Sequence, residues 1–196
     1  MKKIMFDEKY YLTEAVLEKN KTMTRRFAHK IMVENENQEL VWNDKFKAPQ
    51  YKVGDVVAIA QRYSELSWNI KFYERLKQAY KLTNLPQYEL KGWDNKMFVK
   101  AELMPHQIQI TDVKLEKLQD ITDEDCFKEG VRIDSRREIF DDNIYEIGVK
   151  NKKGVYLSWH FPTPKEAFSG LINMMCGKNT WNDNPWVYVY SFKLIK

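Results

Sequence analysis

Pro185-Trp186-Val187-Tyr188-Val189-Tyr190-Ser191-Phe192-Lys193-Leu194-Ile195 is the stretch on which the fold turns. Its β-branched and aromatic side chains follow the turn-forming Asn182-Asp183-Asn184-Pro185, so they predict the strongest strand in the chain. Working outward, Ile108, Ile110, Val113 and Leu115 alternate as a second strand, with Asp112 marking a bulge. Val56 to Ala60 is a near-continuous β-prone run after the turn Lys52-Val53-Gly54-Asp55, the mark of a buried strand. Shorter strands are expected at Ile4–Phe6, Leu40–Trp42, Lys96–Leu103 and Val155–Leu157.

Single helices interrupt these strands. Tyr11, Leu12, Ala15 and Val16 fall at helical spacing, predicting a helix from near Asp7 that Asn20 ends. Residues 64–82 place Trp68, Phe72, Leu76, Ala79 and Tyr80 on one side and Glu65, Lys71, Glu74, Arg75 and Lys77 on the other, with Leu85-Pro86 as the break. Thr122 is a candidate N-cap for a short acidic helix running through Glu129 and stopped by Gly130. Pro164 to Met175 spaces Phe168, Leu171, Ile172 and Met175 for one face. Strands and helices do not alternate regularly, which argues against a doubly wound sheet. The expected class is α+β, mainly β: one domain over residues 1–196, its antiparallel sheet closed or nearly closed, with flanking helices.

Composition sets the limits. The chain has 196 residues, 43% hydrophobic and 31% charged, enough to bury a core. Aromatics at 14% fit a β-rich core, a surface for stacking bases, or both. A net charge of +4 permits an anionic partner without requiring one, so a nucleic-acid reading must rest on a local cluster. Cys126 and Cys176 form no CxxC or Cys/His pattern, and His29, His106 and His160 share no ligand spacing. Neither a metal nor a cofactor is expected. The N-terminal MKKIMFDEKYYL breaks its apolar run at Asp7 and Glu8, and no stretch approaches a membrane span, so a cytoplasmic protein without a leader is expected.

The chemistry concentrates in Lys21-Thr22-Met23-Thr24-Arg25-Arg26: an amine, two hydroxyls and two guanidiniums. In extended backbone Thr22, Thr24 and Arg26 share one face, and Lys21, Met23 and Arg25 the other. The strip is either an anion grip or a nucleophile set, since a desolvated lysine activates a hydroxyl and arginine clamps phosphate or an oxyanion. The plainer alternative is a solvated basic turn capping a helix. Glu129 ends a helix where a carboxylate opposes the dipole, so a partner such as Lys21 or Arg26 is expected; an exposed glutamate is the alternative.

KNKTMTRR (Lys19–Arg26), set just after an N-terminal helix, resembles the G-x-K-T-x-T-x-R signature of ASCH domains, a branch of the PUA-like β-barrel superfamily. YKVGDVVAIA (Tyr51–Ala60) is similar to the family's Gly-Asp strand. ITDVKLEKLQDITDEDCFKEGV (Ile110–Val131) resembles its later strand, short helix and Glu-Gly end, and NPWVYVYSFKLI (Asn184–Ile195) its closing strand. The pattern looks closest to ASCH-like proteins of phages and mobile elements. The resemblance implies a small mixed barrel with flanking helices and a cleft lined by Lys21, Thr24, Arg26 and Glu129. Insertions fall at about 33–50, 62–96 and 131–180.

In family members that act on acetylated cytidine as amide hydrolases, the threonine is the nucleophile, the lysine its base, and the glutamate an acid or orienter. In others the cleft holds RNA or nucleotides. The implied partner is therefore RNA, a nucleotide or a modified nucleoside such as N4-acetylcytidine. Lys21, Thr24 and Glu129 are the catalytic candidates; Arg25, Arg26, Thr22, Arg132 and Trp181 are the ligand-binding ones. Asn20 stands where the family usually has Gly, and Gln61 where larger relatives carry an acid. Arg132, Arg136 and Arg137 form a second basic cluster, read as phosphate-contacting or as solvated surface. Trp181 stays open between stacking and packing, and Trp186 is expected in the core.

Overall fold

The computed structural model describes residues 1–34, 40–81, 87–134, 144–151 and 153–196. It is a mixed α+β fold. Its strands are β1 (Lys2–Ile4), β2 (Met23–Phe27), β3 (Lys30–Glu34), β4 (Leu40–Phe46), β5 (Val56–Ile59), β6 (Gln107–Lys117), β7 (Arg132–Ile133), β8 (Tyr145–Lys150), β9 (Tyr156–Phe161) and β10 (Trp186–Leu194). The helices are α1 (Leu12–Leu17), α2 (Tyr63–Leu66), α3 (Ile70–Tyr80), α4 (Asp123–Lys128), α5 (Pro164–Cys176) and α6 (Thr180–Asp183).

The main sheet runs β1-β5-β6-β10-β2, antiparallel except for the parallel β1–β5 pair. The closing strand β10 is its spine, paired with β6 on one side and β2 on the other. Ser191 pairs with Asp112 and Phe192 with Ile110, so Thr111 is the extra residue of a bulge beside the position expected from Asp112. Among the described residues, strand pairing leaves β1 and β2 as edges rather than closing a barrel. A β3–β4 hairpin and a three-stranded β7-β8-β9 sheet complete the strands.

Burial follows the sequence pattern where a neighbour exists to receive it. Ile4, Val57, Ile59, Ile108, Ile110, Val187, Val189, Phe168 and Leu171 share one core. A second cluster gathers Tyr63, Leu66, Phe72 and Leu76 from α2 and α3 with Val99, Ala101, Leu103 and Met104.

The structure corrects several expected elements. Residues 96–103 form two 3-10 turns, Lys96–Phe98 and Ala101–Leu103, rather than a strand. Here the Lys100 amide donates to Tyr63 Oη and the Lys3 ammonium to the Val99 carbonyl, so side chains take the backbone groups a ladder would use. The helix over 64–82 is two helices, because Asn69 accepts from the Phe72 amide and restarts the chain. Trp68, in the break, is 80% exposed rather than on the apolar face. The first helix starts later than Asp7: Tyr11 has φ 55°, separating a 3-10 turn at Glu8–Tyr10 from α1. Lys19, not Asn20, takes the left-handed conformation after it (φ 65°). Ile4–Phe6 shifts to Lys2–Ile4, and the Val155–Leu157 strand extends to Phe161. Leu85-Pro86, Arg136 and Arg137 lie outside the described residues.

Helix α4 forms as its sequence dictates. Thr122 Oγ1 accepts from the Asp125 amide at 3.1 Å, and three acids occupy the first turn. Gly130, at φ 107°, ends the helix, and a Cβ built there stands 3.2 Å from Leu12 Cδ2. Gly130→Ala is therefore expected to cost about 1–3 kcal/mol, read from the midpoint of chemical unfolding.

Candidate functional site

Three backbone bonds place the basic strip. The Lys21 amide donates to Ala15 O (2.9 Å), tying it to the end of α1. The Thr22 amide donates to Lys128 O (3.0 Å), docking the strip on the end of α4. The Phe192 amide donates to Thr22 O (2.8 Å), joining it to β10. Lys21 consequently faces Glu129, the residue that caps α4.

The result is a buried ionic network. Lys21 Nζ donates to Glu129 Oε2 at 2.6 Å and to Glu129 O at 2.7 Å. The ammonium thus meets both the carboxylate and a helix-terminal carbonyl, which offsets the unfavourable placement of an acid there. Arg25 Nη1 donates to Glu129 Oε1 at 3.0 Å, and Arg25 Nη2 lies 2.6 Å from Glu116 Oε1 and 3.4 Å from Asp125 Oδ2. Lys21, Arg25, Asp125 and Glu129 are all buried. Lys114 and Lys128 complete the cluster from its more exposed side, 2.8 Å from Glu116 and 3.3 Å from Asp125.

Strand periodicity explains the choice of partner. Lys21 and Arg25 share a parity and converge on Glu129; Arg26 has the other parity, and the alternative pairing of Arg26 with Glu129 does not form. Arg26 Nη2 instead donates to Met5 O at 2.6 Å, bridging the two edges of the sheet. Its positive charge opposes the burial-driven rise of the Tyr51 and Tyr190 phenols. Among the described residues no carboxylate pairs with Arg26. Arg25 Nε is buried and has no hydrogen-bond partner there.

Burial pulls the Lys21 ammonium below its ordinary value; Glu129 opposes this, and Arg26 and Arg25 add to it. Burial also works against the charge of Arg25, but Glu129 and Glu116 outweigh it and hold the guanidinium above its ordinary value. For Lys21 the consequence is a signed pH dependence. Between its folded value and the ordinary 10.5, the unfolded chain binds more protons at this position, so stability rises with pH in that window. The stability of the native chain relative to Lys21→Met should climb as pH approaches 10.5 from below, by at most about 1.4 kcal/mol per pH unit. A flat difference in paired unfolding curves would contradict it.

A cavity of about 540 Å³ opens beside this network. Lys21, Thr24, Arg25, Arg26 and Glu129 line it, with an apolar wall that includes Phe6, Leu118, Phe168 and Leu171. Thr24 is buried, and its hydroxyl makes no hydrogen bond to Lys21 or to another described residue. Phe27 also lines the cavity and is 41% exposed, presenting a ring to solvent.

Three candidates lie outside the cavity. Thr22 is spent on backbone contacts at its edge. Arg132 donates to Tyr156 Oη and lies 3.6 Å from Glu146, in the β7-β8-β9 sheet. Trp181 packs edge-on against Phe168 with centroids 6.1 Å apart, and its carbonyl accepts from Gln119. Trp186, expected in the core, is 37% exposed beside Phe46 and Lys117. Glu116 and Asp125 were not singled out from the sequence. Asp125 lies in the acidic first turn of α4 and Glu116 on β6, and only the tertiary fold aims them at Arg25.

The fold and site together define a mixed α+β protein with a cation–carboxylate network buried against a small, partly apolar cavity. No family model, curated protein or solved structure matches the chain. Among the described residues no helix is long and apolar enough to cross a membrane.

Proposed function

We propose that this chain is an ASCH-type, PUA-like cytoplasmic protein that binds a nucleotide, free or exposed in RNA, in the cavity beside β2. The observation that carries the reading is Arg26. In the network around Glu129 the two buried cations, Lys21 and Arg25, are already paired with carboxylates, those of Glu129, Glu116 and Asp125. Arg26 lines the same cavity without a carboxylate among the described residues, and with Nη2 held by Met5 O its other N–H groups are left for a phosphate. A volume of about 540 Å³ suits one nucleotide rather than a duplex. Phe27 takes the stacking role that Trp181 does not fill. The barrel reading is supported by the Arg26–Met5 bridge, which draws the sheet edges together, and by Phe6 packing across the sheet against Phe192 of β10 (centroids 5.7 Å).

The test is binding of short single-stranded RNA and of nucleotides across a salt series. Affinity should fall as salt rises; absent binding, or binding indifferent to salt, would remove the reading.

One observation favours a second reading, hydrolysis of an acylated nucleoside such as N4-acetylcytidine. Lys21, Thr24 and Glu129 line one cavity, and the threonine hydroxyl is uncommitted. Lys21, its pKa lowered by burial, would serve as base once a substrate draws the two groups together. Incubation with N4-acetylcytidine should then release cytidine and acetate, and Thr24→Ala should abolish turnover. Undiminished turnover in that variant excludes the mechanism.

A further inference from the structure

Away from the cavity, the three-stranded β7-β8-β9 sheet gathers a second group of chemistry-bearing side chains. Glu146 on β8 stands directly opposite His160 on β9 and Arg132 on β7. Asp134 follows β7 two residues after Arg132, and its amide donates to Ile144 O at 2.9 Å, which continues the ladder. Period-two alternation puts Asp134 on the face of Arg132, hence beside Glu146 and His160. His160 Nε2 lies 3.0 Å from Asp134 Oδ2 and 3.8 Å from Glu146 Oε2. All three ligand atoms lie within 4.8 Å of one another.

We propose that Asp134, Glu146 and His160 form a binding site for a divalent transition-metal ion of the Zn2+ type. One imidazole and two carboxylates are a borderline donor set that suits such ions. Ligand atoms about 2.0–2.2 Å from a tetrahedral zinc stand roughly 3.3–3.5 Å apart, and the two measured separations bracket that range. The third pair, Asp134 and Glu146, lies within 4.8 Å.

The surroundings orient the ligands. Tyr156 Oη donates to Glu146 Oε1 at 3.0 Å, and Arg132 Nε lies 3.6 Å from the same oxygen, so the other oxygen, Oε2, faces His160. That is the outer-shell arrangement that fixes a ligating carboxylate. Asp134 is 3% exposed, whereas the His160 side chain is 34% exposed, so the site is anchored from beneath and reached from solvent. Three protein ligands leave one position for water or a substrate group. The sequence hid the site because its three residues come from separate parts of the β7-β8-β9 sheet and its flank and share no short spacing.

Calorimetric titration of the metal-stripped full chain with ZnCl2, with Co2+ absorption as a second readout, tests the site. One equivalent should bind. His160→Ala and Glu146→Gln should each weaken binding more than tenfold, and Tyr156→Phe by about tenfold through the outer shell alone. His160 and Glu146 lie apart from both hydrophobic clusters, so the two variants check each other against loss of folding. Absence of stoichiometric uptake would overturn the proposal. So would uptake unchanged in His160→Ala, which would place the ion on other side chains and leave His160 to its hydrogen-bonding contacts with Asp134 and Ser158.

Discussion

Glu129→Ala is expected to destabilise the fold by about 3–5 kcal/mol, the range for removing one partner of a buried ion pair. Glu129 sits between two buried cations, accepting from Lys21 at 2.6 Å and from Arg25 at 3.0 Å. Removing it leaves Lys21 with only the Glu129 carbonyl and Arg25 leaning on Glu116 and Asp125. The loss comes from stranding charge, and it does not measure what the network contributes over an apolar one. Lys21→Met combined with Glu129→Leu should therefore cost clearly less than Glu129→Ala alone, because the Lys21 charge is gone and Arg25 keeps Glu116 and Asp125. Equilibrium unfolding followed by the fluorescence of six tryptophans reads both. If Glu129→Ala costs under about 1 kcal/mol, the network is solvated and its burial is not what holds the strip on α4.

Arg26→Ala is expected to separate binding from folding. Its known protein contact is one hydrogen bond to Met5 O, so stability should fall by only about 1 kcal/mol. Affinity for a phosphate-bearing ligand should fall by about 1.5–3 kcal/mol, or roughly 10- to 150-fold, the range for a hydrogen bond to a charged group. With single-stranded RNA, the slope of log affinity against log salt should become shallower by about 0.7 for each phosphate contact removed. Arg25→Ala would be a poor substitute for this experiment: it takes a buried cation from Glu129, Glu116 and Asp125 at once, so stability and binding would fall together.

The sequence made the sheet legible where one residue pattern and one local cause sufficed. Trp186–Leu194 is β-prone at almost every position and became the spine of the sheet; Thr122 and Gly130 bounded α4 by side-chain capping and positive φ. Lys96–Leu103 misled because its alternation of apolar and polar residues is shared by a strand and by turns that drop alternate side chains into a local cluster. Only the tertiary partners Tyr63 and Lys3 decide between them.

The candidate site was legible in its charge and in its parity. Two-residue alternation placed Lys21 and Arg25 together and Arg26 apart, and the contacts follow that division. What the sequence did not reveal is that Glu116 and Asp125, from separate elements, neutralise Arg25 and leave Arg26 as the available cation. That depends on distances across the sheet. Trp181 shows the limit from the other side: an aromatic near a turn stays open between stacking and packing until Phe168 is found against its ring.

The central claim is that this cavity takes a phosphate-bearing nucleotide at Arg26. The most direct measurement is a calorimetric comparison of the four nucleoside 5′-monophosphates with their nucleosides, on the native chain and on Arg26→Ala. At least one monophosphate should bind the native chain about 10- to 150-fold more tightly than its nucleoside, and Arg26→Ala should erase that preference. Equal affinity for nucleoside and monophosphate, a preference that survives Arg26→Ala, or no binding of any of the eight would contradict it.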